Sequence, residues 1–300
     1  MAVNLGMLRL KNPVMVASGT FGYAEEFADY LDIKKLGAVV SKTVTIKPRQ
    51  GNPAPRTCET PGGMLNSIGL ENPGIEAFIK EKLPVLRKTG IPVIVSIASE
   101  TDPREFVILA RRLDKLTGIA ALELNISCPN LKKNKLISQD PQATYALVRN
   151  VRKAWGKTLI TKLSPNVADI TEIALAAEKA GSDCLALINT LYGMSIDINQ
   201  RRPKIAMGTG GLSGPAVKPV AVRMVREVYK KVKIPIIGMG GITCAEDALE
   251  FIIAGASAVS VGTQNFVDPG VTAGIIEGIG KYLKNSGIKN IAALIGSLKE

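Results

Sequence analysis

A thiol between two carboxamides follows an apolar run near the middle of the chain. The run 121–124 leads into Asn125, and Cys128 and Asn130 come directly after it. Pro129 has no backbone N–H and a fixed φ, so a strand cannot continue through it and the polar residues must leave the sheet. Free cysteine is usually a small buried apolar residue, but a thiol at the mouth of a site can also transfer protons. The neighbouring segments decide between these two roles.

Two lysines stand where other apolar runs end. Lys42 follows the run 38–41, and Lys162 lies within the run 159–163. Burying an ammonium group is costly without an anionic partner, although a lysine can also extend its charge into solvent. We expect both lysines at one end of the sheet, with an anion or an electron-rich ring between them.

Four carboxamides and two glycine segments complete the polar residues near strand ends. Asn66, Asn125, Asn130 and Asn189 can each donate and accept, which suits a heterocycle with alternating N–H and C=O edges. Glycines in the segments 238–242 (GMGGI) and 261–263 (VGT) would allow backbone N–H groups to approach a phosphate, and 210–214 could add another backbone edge. Plain tight turns are the alternative for each glycine segment.

These residues are positioned by apolar runs that alternate with amphipathic helical patterns. Strands are predicted at 14–17, 38–41, 93–97, 121–124, 159–163, 184–188, 236–239 and 258–261. Helices are predicted at 75–88, 102–116, 140–155, 169–180, 219–232, 245–254 and 271–284. Eight strands with helical patterns between them favour a (β/α)8 TIM barrel, in which each strand is followed by a helix, over a doubly wound open sheet, after a short N-terminal segment 3–10.

The longest connections follow strands two, four and six, at 42–73, 125–139 and 189–215. All three leave the carboxyl ends of strands, which is where barrel enzymes place their active sites. No linker or shift in composition divides the chain, so residues 1–300 are predicted to form one domain.

Composition excludes several classes of function. The chain has 300 residues and no histidine, which removes His-based triads and the commonest metal ligand. Its formal charge of +12 is dispersed, and the dense run 132–135 lacks interleaved aromatic residues, so anionic small ligands are favoured over nucleic acid. No apolar run approaches the length that spans a membrane.

The four cysteines bound the redox chemistry. Cys58, Cys128, Cys184 and Cys244 are far apart and form no CxxC pair. This spacing argues against a disulfide framework, a zinc site or an iron–sulfur cluster in this chain. The N-terminal residues show no charged-then-apolar signal pattern, so we expect the protein in the cytoplasm.

Several of these segments resemble class 1 dihydroorotate dehydrogenases. The similarity runs in order from about residue 11 to residue 266 and includes 51–56 (GNPAPR), 66–73 (NSIGLENP), 125–130 (NISCPN), 189–193 (NTLYG) and 210–215 (GGLSGP). Cysteine in the loop after strand four resembles class 1, because the membrane-associated class has serine there. The segment 51–63 resembles the class 1B catalytic subunit more than the fumarate-using class 1A enzyme.

The resemblance implies a role for each site residue. The phosphate of FMN would lie on Gly240, Gly241, Gly262 and Thr263, with Gly214 nearby, and the flavin ring would contact Ser18, Lys42, Thr43, Ser96, Asn125, Lys162 and Ile188. Dihydroorotate or orotate would be held by Lys42, Asn66, Ser67, Ile68, Gly69, Leu70, Asn125, Asn130, Asn189 and Thr190. Cys128 would remove a ring proton while a hydride passes to the flavin, with Lys42 and Lys162 as the other catalytic residues.

Class 1B also implies a homodimeric core with a partner subunit, which would carry FAD and a 2Fe–2S cluster and pass electrons to NAD. Two departures from the family stand out: the loop 131–138 is rich in lysine where the family has glycines, and Ser96 replaces an asparagine. Alternative functions are a class 1A-like enzyme, a dihydropyrimidine dehydrogenase catalytic subunit and a non-catalytic flavin-binding scaffold.

Overall fold

Eight parallel strands form the centre of the computed structural model, which describes residues 1–99, 102–127, 129–130 and 135–299. In the sheet they lie in the order β1-β8-β7-β6-β5-β4-β3-β2, and a parallel bridge between Met15 and Ala38 joins the two ends. The predicted TIM barrel is therefore confirmed. The strands are β1 (Val14–Val16), β2 (Val39–Val40), β3 (Val93–Ile97), β4 (Ala121–Asn125), β5 (Thr158–Lys162), β6 (Cys184–Leu187), β7 (Ile236–Met239) and β8 (Ala258–Val261).

The strands are apolar on both faces because one face points into the barrel and the other packs under helices. Every residue of β3 and β5 is buried, and only Asn125 at the end of β4 is partly exposed. Side chains alternate along each strand, so residues 121, 123 and 125 share one face and their neighbours 122 and 124 share the other. This alternation carries Asn125 and Lys162, which are register partners, to the same side at the barrel mouth.

Helices follow seven of the eight strands, near their predicted positions. Asp140 and Asp169 cap two of them by accepting hydrogen bonds from backbone N–H groups of the first turn. The helix after β2 contains a wider π turn just before Pro84, which has no N–H to donate into a regular α-helical ladder. The helical segments are Gly74–Ala77, Phe78–Lys82 and Leu83–Lys88 (continuous), Arg104–Asp114, Pro141–Arg152, Ile170–Lys179, Lys218–Tyr229, Ala245–Ala254, Gln264–Val267 and Val271–Asn285.

The connection after β1 corrects the expectation that every strand is followed by a helix. It contains two short 3-10 turns, Glu25–Phe27 and Ile33–Lys35. Phe21 is fully buried and stacks on Phe27 with ring centroids 4.1 Å apart, and this local packing replaces a helical stripe.

The long connections after β2 and β6 combine into one small antiparallel sheet. Its strands lie in the order Leu191–Gly193, Gly210–Ser213, Gly63–Asn66 and Thr57–Thr60. In the connection after β4, the backbone of Pro129–Asn130 pairs with that of Lys135–Leu136. A second hairpin joins Ile196–Asp197 to Arg202–Pro203, and a 3-10 turn spans Ile137–Gln139.

An N-terminal hairpin of Val3–Leu5 and Leu8–Leu10 lies at the opposite end of the barrel, where Thr158 at the start of β5 donates to the carbonyl of Leu5. Short 3-10 turns also span Pro215–Val217 and Ile291–Ala293. Within the described ranges, none of the helices is both long and apolar enough to cross a membrane.

Candidate active site

A cavity of about 810 Å³ opens at the carboxyl ends of the barrel strands. The small antiparallel sheet forms part of its wall, because Asn66, Tyr192 and Gly211 all line it. Most residues that the sequence predicts for the site meet here. They are Ser18, Lys42, Thr43, Asn66, Ser67, Ile68, Gly69, Leu70, Asn125, Lys162, Ile188, Asn189, Thr190, Gly214, Gly240, Gly241, Gly262 and Thr263.

The remaining three predicted site residues are Cys128, Asn130 and Ser96. Cys128 lies outside the described residues, as does the side chain of Asn130. Ser96 is fully buried behind the wall, and its hydroxyl lies 3.0 Å from Thr43 Oγ1. Ser96 therefore contacts Thr43, which lines the cavity, and its predicted contact with the cofactor stays a prediction.

The wall of the cavity is electropositive. Lys162 is only 5% exposed and donates from Nζ to Ser18 Oγ over 3.3 Å. Lys42 lines the same space, and its backbone N–H donates to the carbonyl of Gly22. Glu71 also lines the cavity, but its carboxylate is paired with Arg56. The two lysine charges therefore favour an anion or a group that gains negative charge.

The carboxamides at the mouth hold one another in fixed orientations. Asn189 Nδ2 donates to Ser127 Oγ over 2.9 Å and approaches Asn125 Oδ1 at 3.4 Å. Asn189 Oδ1 accepts the backbone N–H of Thr190 at 2.9 Å, and across the cavity Asn66 Nδ2 donates to the carbonyl of Gly211 at 3.3 Å. Because these amides are held on one side, their remaining edges are preorganised to read a polar heterocycle.

The glycines after β7 and β8 form a cradle that side chains would fill. Gly240 and Gly241 have φ of +125° and +76°, and a Cβ on Gly241 would lie 2.8 Å from the carbonyl oxygen of Gly214. A Cβ on Gly262 would lie 3.8 Å from that of Ala17 and close to nothing else, so it would project into open space. The cradle continues into the short helix Gln264–Val267, and Thr263 Oγ1 donates to Ser213 Oγ at 2.7 Å. Backbone N–H groups in such a cradle suit a phosphate.

A partly buried cluster of three charged side chains links the helices next to this cradle. Lys218 Nζ lies 2.7 Å from Asp247 Oδ1 and 2.7 Å from Glu250 Oε2, and hydrogen bonds first to Asp247 and then to Glu250 raise the pKa of Lys218. Burial by itself would raise the pKa of Asp247, but hydrogen bonds from Lys218 and Thr243 outweigh it and lower the pKa to about 2. Asp247 accepts both the N–H and the hydroxyl of Thr243, which anchors the loop after β7 to the helix that follows it.

Ser260 is a cavity residue that sequence reasoning missed. It is 1% exposed and lines the cavity, yet its hydroxyl has no hydrogen-bond partner among the residues that the structure describes. Ser260 lies two positions before Gly262, so the alternation of β8 directs both to the same face. That spacing was the available signal. An orphaned buried hydroxyl indicates that a ligand or water supplies its partner.

The site's donors suit a phosphate and a planar ring with polar edges. In the described ranges, no cluster of three or more Cys, Asp or Glu residues could hold a metal ion. Backbone N–H groups of the cradle, the two lysines and the orphaned hydroxyl of Ser260 instead fit an anionic cofactor with polar ring edges.

Comparison with known proteins gives the family. The family model for dihydroorotate dehydrogenase matches residues 1–283. Dihydroorotate dehydrogenase B (NAD(+)), catalytic subunit, from Geotalea uraniireducens is 55% identical over 299 residues, covering 99% of this chain and 98% of its own length. Proteins of the same name from Trichlorobacter lovleyi and Desulforudis audaxviator are 55% and 56% identical and cover 100% and 99% of this chain, over 98% and 96% of their own lengths. The chain therefore belongs to the dihydroorotate dehydrogenase family.

Proposed function

We propose that this chain is the catalytic subunit of an NAD-linked dihydroorotate dehydrogenase, which oxidises dihydroorotate to orotate in pyrimidine biosynthesis. The observation that carries the proposal is the convergence of two lysines, a set of oriented carboxamides and a glycine cradle on one cavity. The relatives named as dihydroorotate dehydrogenase B catalytic subunits match nearly the whole chain, which supports the same activity here.

The cofactor of this proposal is FMN, which when bound supplies the hydride-accepting chemistry. The cradle of Gly240, Gly241, Gly262 and Thr263, with Gly214 nearby, would bind its phosphate through backbone N–H groups. Lys162, held by Ser18, would place a positive charge where negative charge develops as the ring is reduced. Thr43, supported by Ser96, would fix a polar edge of the ring.

The substrate would lie between Lys42 and the carboxamides. Its carboxylate needs a cationic or amide-rich wall, and Lys42 together with the loop 66–70 lines that part of the cavity. Asn125 and Asn189 would read the ring's N–H and C=O edges, because Asn189 is already oriented by Ser127 and by the backbone of Thr190. Asn130 would close this set of amides.

Proton abstraction is proposed for Cys128. A thiol with a pKa near 8.5 is usable near neutral pH, and the chain has no histidine to take this role. Ser127, the preceding residue, is tied to Asn189 at the substrate wall. The Sγ of Cys128 would accept a ring proton as the thiolate becomes a thiol, and the ring loses a hydride in the same overall oxidation.

Electron transfer to NAD would need a second subunit. The relatives' name, catalytic subunit, implies such a partner, and we propose that it carries FAD and a 2Fe–2S cluster and binds a homodimeric core of this chain. Three described cysteines, Cys58, Cys184 and Cys244, are free, which supports a reducing compartment, and we propose the cytoplasm.

Anaerobic bleaching of the bound flavin by dihydroorotate tests the function. The purified chain should be yellow and should bleach with dihydroorotate, yet should reduce NAD poorly until the partner subunit is added. Bleaching by dihydrouracil in preference to dihydroorotate would favour a dihydropyrimidine dehydrogenase, and rapid reoxidation by fumarate would favour a class 1A-like enzyme. If no dihydropyrimidine bleaches the flavin, the result would favour a non-catalytic flavin-binding scaffold.

The base assignment has its own test. Replacing the thiol in Cys128→Ala should slow bleaching by a factor on the order of 10²–10⁴, which is the usual contribution of a general base. Cys58→Ala is the matched control, because Cys58 is free and does not line the cavity. Equal bleaching rates in Cys128→Ala and in the unsubstituted protein would remove Cys128 from the mechanism.

A further inference from the structure

Asn166, in the segment that follows β5, does not line the cavity, but its side chain makes several hydrogen bonds. Its Nδ2 donates to the carbonyl of Thr190 at 2.9 Å and to Ser164 Oγ at 3.1 Å. Its Oδ1 accepts the backbone N–H of Tyr192 at 2.9 Å. The side-chain amide of Asn166 is therefore hydrogen-bonded to two backbone peptide groups of the connection after β6.

These two peptide groups lie next to the part of the cavity wall that is proposed to bind the substrate. Thr190 lines the cavity, and its N–H fixes the amide of Asn189, which in turn holds Ser127. A shift of the Thr190 carbonyl would therefore move the residue whose N–H orients Asn189. The geometry of the wall depends on Asn166 without contact between Asn166 and the ligand.

The backbone of the same residue reaches a third connection. The carbonyl of Asn166 accepts Gln139 Nε2 at 2.9 Å, and Gln139 Oε1 accepts the N–H of Leu136 at 3.3 Å. Leu136 closes the connection after β4, in which Ser127 also lies. Asn166 thus stands where the connections after β4, β5 and β6 meet.

A carboxamide suits the hydrogen-bonding needs of this position. The Thr190 carbonyl needs a donor and the Tyr192 N–H needs an acceptor, and an asparagine side chain offers both on one planar group. Aspartate has the same size but offers only acceptors when ionised, so it would turn an oxygen towards the Thr190 carbonyl. Alanine offers neither and leaves both groups unpaired.

We propose that Asn166 is a positioning residue for substrate binding, which acts by fixing the Thr190–Tyr192 backbone and through it the amide of Asn189. This inference rests on the proposed function, because the ligand that it orients is orotate or dihydroorotate. It assigns to Asn166 a role in ligand affinity and not in the chemical step.

The test compares orotate binding and dihydroorotate oxidation in Asn166→Asp, Asn166→Ala and the unsubstituted, flavin-loaded protein. Titration calorimetry gives the orotate Kd, and anaerobic flavin bleaching gives the concentration dependence and the saturating rate. We expect Asn166→Asp to raise the orotate Kd and the half-saturating dihydroorotate concentration by about 10-fold. Asn166→Ala should raise both measurably, but by no more than Asn166→Asp. The saturating rate should stay within about 2-fold of the original, because no reacting group is removed.

Which of Asn166→Asp and Asn166→Ala has the larger effect distinguishes a positioning role from a packing role. Aspartate fills the space of asparagine and alanine does not, so a merely structural role predicts a mild Asn166→Asp and a severe Asn166→Ala, with loss of Tm and of flavin. Asn199→Asp controls for the added charge, since Asn199 is exposed on the same connection. If Asn166→Asp does not fold, Asn166→Ala decides by its orotate Kd.

Two results would overturn the inference: an unchanged orotate Kd in the folded variant, or an effect confined to Asn166→Ala. The proposed function fails differently, because the unsubstituted protein would then bind no orotate and would not bleach with dihydroorotate.

Discussion

Gly262→Ala should leave the protein folded but weaken its hold on FMN. Gly262 follows β8 in the proposed phosphate cradle, and its φ lies outside the left-handed region that favours glycine. An added Cβ would lie 3.8 Å from Ala17, which is ordinary van der Waals contact, and would otherwise meet only the open cavity. The methyl group would therefore occupy space that the cofactor needs without disturbing the chain.

Gly262→Ala should affect the stability of the apoprotein and its affinity for FMN in opposite directions. Alanine restricts the unfolded chain, so the apoprotein should gain up to about 1 kcal/mol in free energy of unfolding. Losing one charge-assisted hydrogen bond from the backbone to a phosphate costs about 1.5–3 kcal/mol, which is about 10- to 150-fold in Kd. FMN affinity should fall by this factor while the Tm of the apoprotein stays constant or rises.

The assay is reconstitution of the apoprotein with FMN, followed by quenching of flavin fluorescence and by thermal unfolding. Gly274→Ala is the matched control, because Gly274 is exposed in the helix Val271–Asn285 and a Cβ there meets nothing within 4 Å. Gly241→Ala should behave differently from both. Its φ of +76° and a Cβ 2.8 Å from the Gly214 carbonyl oxygen should cost about 1–3 kcal/mol of stability in the apoprotein itself.

An FMN Kd within 2-fold of the original in a folded Gly262→Ala would refute the cradle. A fall in the Tm of the apoprotein would refute the reading of open space, because the added methyl group would then be meeting protein atoms.

Three further predictions concern charged and polar groups around the cavity. Asp247→Asn should lower the free energy of unfolding by about 1–2 kcal/mol at pH 7 in urea titrations. Because the pKa of Asp247 is lowered from 3.8 to about 2, the stabilisation is present above pH 4 and is lost as the pH falls towards 2. An equal loss of stability on substitution at pH 2 would contradict this prediction. Lys162→Gln should retain flavin but slow its reduction by about 10²-fold in stopped-flow bleaching, and an unchanged rate would exclude charge stabilisation by Lys162. Ser260→Ala should raise the Tm of the apoprotein, where the hydroxyl has no described partner, and lower that of the FMN-loaded protein, so shifts of the same sign would show that Ser260 does not meet the cofactor.

The sequence by itself determined the barrel and the end of it that carries the site. Apolar runs with both faces buried alternate with capped helices, and this pattern depends on neighbours a few residues apart. Because parallel strands all end at one rim, polar residues at or just after strand ends, such as Lys42, Asn125 and Lys162, could be assigned to one cavity before any contact was known. The connection after β1 escaped this reasoning, because stacking of Phe21 on Phe27 replaces a helical stripe.

Only the tertiary structure decided how the mouth is built. The antiparallel sheet pairs Asn66 with Gly211, residues 145 positions apart, and local pattern carries no information about such a pairing. The tertiary structure also showed that Ser96 is hydrogen-bonded to Thr43 and that Ser260 lines the cavity, because such contacts depend on which strands are neighbours in the barrel. The hydrogen bonds of Asn166 with Thr190 and Tyr192 join connections that follow two different strands, so they can be found only once the positions of both connections are known.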